Sequence, residues 1–232
     1  LKKEPFEDVD ILIHLAFHFK KPDNQETDIN HSAAISLKSL NLNKYIFISS
    51  FSASADASSY YGKCKYQLEQ IFEEDTVIRP GLVLGNGGLF LRLKTQLEKN
   101  PFVPIIAGGK QCMQTIYLND LVSGIKISIK NNNKGVYNLA NPNPVIYKKL
   151  MTLIANSIRK KIYFISVPVW MIRIIISITQ RMKQPVITQD NLDGLLQSKY
   201  IDTSDDLQKL GLSVINTEES LTRICALASR TL

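Results

Sequence analysis

The stretch from residue 44 to residue 65 constrains this chain most, because it combines a buried strand, a serine-rich loop and the start of a helix. An apolar run ends in Ser49 and Ser50, as expected for a parallel strand that is buried on both faces. The helix that follows begins at Tyr61 and carries Lys65 four residues later. Residues four apart share one face of a helix, so the phenol and the ammonium are expected side by side.

This pair has an ordinary interpretation and a chemical one. A Tyr and a Lys at this spacing are a common surface contact that stabilises a helix by a few tenths of a kcal/mol. At the tip of a buried strand, however, open α/β sheets bind their ligands. There a cation beside Tyr61 favours the phenolate and gives a proton donor or acceptor usable near neutral pH. Ser50 is the first candidate for a hydroxyl that binds the reacting oxygen, with Ser49 and Ser52 as alternatives.

The rest of the chain alternates short apolar runs with amphipathic segments, which predicts a parallel sheet with connecting helices. Strands are predicted at Asp10–Ala16, Tyr45–Ser50, Thr76–Leu84 and Val136–Leu139. Helices are predicted at 26–40, Tyr61–Phe72, 88–98, Leu121–Lys130, 145–158, 167–182, 187–197 and 217–229.

Several of these segments together resemble the extended and atypical short-chain dehydrogenase/reductases, the NAD-dependent epimerase/dehydratase group. The central motif is Ile48-Ser49-Ser50 followed by Tyr61-Gly62-Lys63-Cys64-Lys65. Matching strands follow in the family's order at 8–16, 78–85, 115–121 and 135–140. Each motif alone is modestly specific, but their joint order covers nearly the whole chain.

The resemblance implies a Rossmann-type, doubly wound α/β fold with a small, mostly helical C-terminal lobe. It divides the chain into a partial NAD(P)-binding domain at 1–140, with substrate-side elements from 86 on, and a substrate lobe at 141–232. The family's dinucleotide fingerprint, Gly-x-Gly-x-x-Gly, does not occur in these residues. We interpret Gly85-Asn86-Gly87-Gly88 as a turn, because Phe90 occupies the sixth position of that pattern. The first βαβ portion is therefore expected to be missing, through truncation or in a fragment.

For the site, the resemblance implies hydride exchange between NAD or NADP and a hydroxyl or carbonyl carbon. Tyr61 would exchange the proton, Lys65 would hold the cofactor ribose and lower the pKa of Tyr61, and Ser50 would orient the substrate oxygen. The positions expected to contact the cofactor are Leu15, Ala16, Ser49, Tyr61, Lys65, Pro80, Gly81, Leu82 and Val83. The residue that chooses between NAD and NADP belongs to the portion expected to be missing.

Composition and spacing disfavour several other kinds of site. The net charge is +7, but the lysines are scattered and form no basic run of the kind that marks nucleic-acid binding. A basic surface attracts an anionic nucleotide or a sugar phosphate as well as it attracts a nucleic acid. His14 and His18 lack further ligands for a metal site, and three widely spaced cysteines suggest reduced thiols in a cytoplasmic protein.

The most apolar segment, Val167 to Ile178, is too short to span a membrane. It is predicted to be a buried or docking helix, with contact at a membrane interface as the less favoured alternative. The resemblance also suggests a homodimer.

Three functions remain open from the sequence. The favoured one is an oxidoreductase that acts on a small substrate, a nucleotide-linked sugar, as an epimerase, dehydratase or reductase. The short Ser50–Tyr61 loop suggests instead a non-catalytic NADP-binding assembly factor, similar to a complex I accessory subunit. The third is an inactive fragment that lacks the dinucleotide fingerprint.

Overall fold

The computed structural model describes residues 8–22, 27–179 and 189–228. Its strands are β1 (Ile11–His14), β2 (Lys44–Ile48), β3 (Thr76–Pro80), β4 (Leu82–Leu84), β5 (Phe102–Ile105), β6 (Cys112–Met113), β7 (Thr115–Tyr117), β8 (Gly135–Leu139), β9 (Val145–Ile146) and β10 (Tyr163–Ser166). Its helices are α1 (Ile29–Lys38), α2 (Tyr60–Ile71), α3 (Gly88–Lys99), α4 (Leu118–Lys130), α5 (Tyr147–Ser157), α6 (Val169–Thr179), α7 (Gln189–Leu196), α8 (Ser204–Leu210) and α9 (Thr217–Ala228).

The four predicted strands β1, β2, β3 and β8 form one parallel sheet in the order β1-β2-β3-β8. This confirms the predicted α/β fold class with a Rossmann-type parallel sheet. Strand β2 lies in the interior of the sheet, and its residues 45–48 are buried, as an apolar run of this kind requires. Helix α2 covers one face of the sheet and packs Leu68 and Phe72 against Tyr45 and Phe47.

The strand predicted at Thr76–Leu84 is broken at Gly81 into β3 and β4. Strand β3 stays in the main sheet, whereas β4 pairs with β7. A Cβ atom at Gly81 would lie 2.4 Å from the carbonyl oxygen of Gln114, so only glycine lets the two backbones approach this closely. The chain changes sheets at this glycine, just beyond the carboxyl end of β3.

Elements from both sides of residue 140 build one hydrophobic core. It joins β4, α3 and β7 to helices α5 and α9 through buried side chains, which include Leu84, Phe90, Tyr117, Leu150, Met151, Ile154, Leu221 and Ile224. The predicted division into domains at 1–140 and 141–232 therefore remains a prediction. Elements before residue 140 share this core with the helices of the predicted lobe.

The sequence did not predict the short strands β5, β6, β9 and β10. Strands β5 and β10 form a parallel pair, and β6 and β9 form an antiparallel pair. The predicted helix ends at 26, 182, 187 and 229 lie outside the described residues. Among the residues that are described, no helix is long and apolar enough to cross a membrane.

Candidate functional site

Tyr61 and Ser50 meet at the carboxyl end of β2. Helix α2 begins one residue earlier than predicted, at Tyr60, and the Ser59 hydroxyl caps it by accepting a hydrogen bond from the Gly62 N–H at 3.0 Å. This cap places Tyr61 in the first turn of the helix, beside the strand end. The side chains of Tyr61 and Ser50 are joined by a hydrogen bond. The structure thus brings together two of the three residues expected to carry the chemistry.

Lys65, the third of these residues, lies beneath the other two. Its ammonium donates a hydrogen bond to the carbonyl oxygen of Ile48, the last residue of β2, at 2.7 Å. Its Nζ atom lies 5.9 Å from the centre of the Tyr61 ring, 5.0 Å from that of Phe17 and 4.7 Å from that of Phe47. Burial lowers the pKa of Lys65 to about 8, although the nearby Cys64 and Glu69 groups oppose this shift.

The pKa of Tyr61 reflects its burial. Burial raises the pKa of the Tyr61 phenol, and the hydrogen bond with Ser50 offsets only part of this effect. The lowering of the Tyr61 pKa by Lys65 stays a prediction, because burial and the hydrogen bond with Ser50 account for the shift of the Tyr61 pKa in this arrangement. Lys65 is 2% exposed, and its contact with a cofactor ribose stays a prediction.

An aromatic pair that the sequence did not predict covers Tyr61 and Lys65. Phe17 packs edge-on against the Tyr61 ring at 4.9 Å between centroids, and Phe19 stacks on the same ring at 5.7 Å. The two rings also contact each other, with their centroids 5.1 Å apart. Phe17 is half-buried and its ring centre lies 5.0 Å from the Lys65 Nζ atom, so Phe17 contributes to the burial of the ammonium.

A buried amide fixes the segment that carries these aromatic residues. The Asn30 side chain accepts a hydrogen bond from the His18 N–H at 2.7 Å and donates one to the His18 carbonyl at 2.9 Å. It also donates to the Tyr60 hydroxyl, which donates in turn to Asp28. Asn30 thus has a structural role, because it bridges the backbone N–H and carbonyl groups of His18 in the loop beside Tyr61.

Ser49 faces a different partner from Ser50, because successive residues of an extended segment point to opposite sides. Its hydroxyl donates to Glu69, a 3% exposed carboxylate that also accepts two hydrogen bonds from Arg79. The pair with Glu69 raises the pKa of Arg79. The side chain of Ser49 is thus used within the fold. Its assignment as a cofactor-binding residue and as an alternative to Ser50 stays a prediction.

We expect Glu69→Gln to lower the free energy of unfolding by about 2 kcal/mol, because a buried, charge-assisted pair becomes a neutral one. Urea denaturation followed by circular dichroism measures the loss. Glu73→Gln is the matched control, since Glu73 is exposed just beyond α2 and its change should stay within about 0.5 kcal/mol. Equal stability of the two variants would show that the buried network contributes nothing net.

The other predicted cofactor positions surround this cluster. Leu15 and Ala16 are exposed directly beyond β1. Pro80 is buried at the end of β3, and its carbonyl accepts a hydrogen bond from the Phe51 N–H at 3.3 Å, next to Ser50. The Gly81 and Leu82 N–H groups are already used in sheet pairing.

Leu82 and Val83 both lie in β4 and are half-buried. Leu82 packs against the core built by α3 and α5, and Val83 packs against the core beneath α4. The segment 80–83 is therefore close to the site, but its donors and side chains mainly hold the fold together.

Two further groups near the site are inert. Burial raises the pKa of the Cys64 thiol to about 11, with help from the Asp28 charge, so the thiol stays protonated. Burial and the nearby Lys65 lower the pKa of His14, whose ring packs on Phe47 and Phe72. Within the described ranges, no group of three or more His, Cys, Asp or Glu residues could hold a metal ion.

No family model matches the chain. Two curated proteins match part of it. One is NADH dehydrogenase [ubiquinone] 1 alpha subcomplex subunit 9 of Dictyostelium discoideum, which is 32% identical over 105 residues, covering 42% of this chain and 29% of that protein. The other is an Escherichia coli O157:H7 4-epimerase of N-acetylglucosaminyl-diphospho-undecaprenol, 28% identical over 127 residues, covering 49% of this chain and 38% of that protein. The matched segments thus span about a third of these relatives.

Solved structures match the whole fold. UDP-glucuronic acid 4-epimerase from Bacillus cereus, in complex with UDP-glucuronic acid and NAD, superposes with a TM-score of 0.67. The match covers 99% of this chain and 78% of the epimerase, at 14% sequence identity. The chain therefore has the fold of the NAD-dependent sugar epimerases, which confirms the resemblance seen in the sequence.

Proposed function

We propose that the chain belongs to the NAD-dependent epimerase/dehydratase group and exchanges a hydride at a hydroxyl or carbonyl carbon of a sugar. The observation that carries this proposal is the convergence of Ser50, Tyr61 and Lys65 at the carboxyl end of β2. Sheets of this kind bind ligands at that edge. The fold shared with NAD-dependent epimerases supports the same assignment.

The residues present fit the nicotinamide end of a dinucleotide. Ala16 is small and exposed beyond β1, next to the segment that covers Tyr61. Bound here, NAD(H) would supply the hydride acceptor or donor. The chain contains no Gly-x-Gly-x-x-Gly turn to hold a pyrophosphate.

Tyr61 is the proton donor in the reducing direction, because its raised pKa keeps the phenol protonated at neutral pH. As the carbonyl carbon gains a hydride, the proton moves from the Tyr61 hydroxyl to the carbonyl oxygen. The Ser50 hydroxyl, which is hydrogen-bonded to Tyr61 in this structure, holds that oxygen during the reaction. In our proposal, the Lys65 ammonium acts electrostatically, since it stabilises the negative charge that remains on Tyr61.

The proposed substrate is a sugar carried on a diphosphate. The Bacillus cereus epimerase is in complex with UDP-glucuronic acid, and the name of the Escherichia coli relative specifies a sugar on a polyprenyl diphosphate. Both are hexoses linked to a diphosphate, and this shared chemistry is the substrate class that we propose for this chain.

The Dictyostelium match supports a second candidate, a dinucleotide-binding subunit without turnover in a respiratory assembly. The two proposals differ in one measurable respect. An enzyme converts UDP-glucose or UDP-N-acetylglucosamine in the presence of NAD, whereas a subunit of the second kind binds the dinucleotide and leaves both sugars unchanged.

We expect NADH to bind the wild-type protein and to bind Ala16→Phe at least about tenfold more weakly, because a large side chain blocks the close approach to β1. Fluorescence titration with NADH measures both affinities. Val122→Phe adds a ring on α4, where Val122 is 38% exposed, and should bind like the wild type. The placement of the cofactor is refuted if Ala16→Phe binds equally well, or if no NADH binds at all.

A further inference from the structure

Helix α6 has two apolar faces, and within the described residues only one of them is packed into a core. Ile172 and Ile176 point into a small core with Ile106 and Leu192. Nearly opposite on the helix lie four large apolar residues that are 41–71% exposed: Trp170, Met171, Ile174 and Ile178. We call these four residues the outer stripe. Single exposed apolar residues are ordinary, whereas a continuous stripe of this size marks an interaction site.

The segment of the sequence that contains α6 carries charge of one sign. Between Asp120 and Asp190 the sequence contains no Asp or Glu, yet it contains eleven Lys and Arg residues. Arg173 is exposed on α6 itself, and Arg159, Lys160 and Lys161 are exposed just before β10, which leads directly into α6. An apolar stripe with an arginine on its own helix and a basic cluster on the segment before it is complementary to an anionic lipid surface.

We propose that the outer stripe of α6 docks the protein onto the surface of an anionic lipid bilayer. The helix lies in the interface with Ile174 and Ile178 among the acyl chains, while Arg173 and the basic residues before β10 contact the headgroups. Trp170 stands at the first turn of the helix, and tryptophan favours this boundary because its ring is amphipathic. A second copy of the chain is a less suitable partner, because it would bring the same positive charges together.

This inference rests on α6 and the basic residues before β10, and it goes beyond the proposed function. Vesicle binding is measured without cofactor or sugar, so its failure is separate from any failure of turnover on UDP-sugars.

The test uses the only tryptophan of the chain as a reporter. We expect the protein to sediment with vesicles of phosphatidylcholine and phosphatidylglycerol, with a blue shift of Trp170 emission, and to bind pure phosphatidylcholine vesicles more weakly. Ile174→Glu should weaken vesicle binding at least about tenfold. Ile35→Glu is the matched control, because both isoleucines are 51% exposed on helices, and it should bind like the wild type.

Three results would overturn the proposal. The first is no association with anionic vesicles. The second is association that Ile174→Glu leaves unchanged, since the lipid would then bind elsewhere. The third is self-association without lipid that Ile174→Glu abolishes, measured by light scattering, which would assign the outer stripe to a second copy. Circular dichroism of each variant checks that the fold is retained.

Discussion

Tyr61→Phe should reduce the rate of hydride exchange by about 10²- to 10⁴-fold, the usual contribution of a positioned proton donor. The substitution removes one hydroxyl and keeps the ring that packs against Phe17 and Phe19. The fold and the binding of NADH should therefore persist. The rate is measured with UDP-glucose or UDP-N-acetylglucosamine in the presence of NAD, by separating the product sugars.

Tyr60→Phe is the matched control for this experiment. Tyr60 precedes Tyr61 on α2, and its hydroxyl bonds to Asp28 and Asn30 rather than to Ser50. Its loss should lower stability by about 1 kcal/mol and leave the chemical step within a few-fold of the wild-type rate. Comparing the two variants separates the loss of a proton donor from the loss of a buried hydrogen bond.

The possible outcomes decide between the two proposed functions. Full activity of Tyr61→Phe would remove Tyr61 from the chemistry, whatever the substrate. A wild-type protein that binds NADH but converts neither UDP-sugar would favour the non-catalytic subunit. In that case the Ser50–Tyr61 contact has a structural role only.

The sequence predicted the parts of the fold that rest on local patterns. The strands β1, β2, β3 and β8 are short apolar runs between polar residues, a pattern that predicts strands of a parallel sheet. The inner strands β2 and β3 are largely buried, whereas Ile11 and Ile13 of β1 are exposed. The pairing of Tyr61 with Lys65 was also predicted, because helical spacing alone places them on one face.

Contacts between distant segments could not be predicted in this way. The break at Gly81 depends on the carbonyl of Gln114, which belongs to a segment far along the chain. The cover formed by Phe17 and Phe19 depends on how Asn30 holds the backbone of His18. No local pattern contains these contacts.

One signal in the sequence was available and was not used. Lys65, Leu68, Glu69 and Phe72 have the spacing of a single helix face, and that face packs against the sheet. Two charged residues on a core-facing stripe require buried partners. Glu69 finds Ser49 and Arg79, and this pairing is why Ser49 and Ser50 have different roles.

The burial of the Lys65 ammonium leads to a second prediction, which concerns how the free energy of unfolding depends on pH. The folded protein holds the pKa of Lys65 at about 8, whereas the ordinary value is 10.5. Below pH 8 both the folded and the unfolded state carry the proton, and the folded state bears the full cost of burying the charge. Between pH 8 and 10.5 the folded state has released the proton while the unfolded state still binds it. Over this range the wild type therefore gains stability as the pH rises.

Relative to Lys65→Met, the wild type should gain about 3 kcal/mol of unfolding free energy between pH 8 and 10.5, because methionine fills a similar volume and does not titrate. Comparing the two proteins at each pH removes the contribution of other titrating groups. Urea denaturation at closely spaced pH values measures the difference. The Ile48 carbonyl loses its donor in the variant at every pH, so this loss shifts the whole curve without changing its slope.

Lys63→Met is the control, since Lys63 lies on the same helix with its side chain exposed. Its ammonium stays in water in both states, so its effect on stability should be nearly independent of pH. If the difference in unfolding free energy between the wild type and Lys65→Met does not change with pH, the ammonium is hydrated in solution. In that case Phe17 does not cover it, and Lys65 is free to contact a cofactor ribose, as the family resemblance implied. The slope of one stability curve therefore decides whether Lys65 acts from beneath Tyr61 or directly on the cofactor.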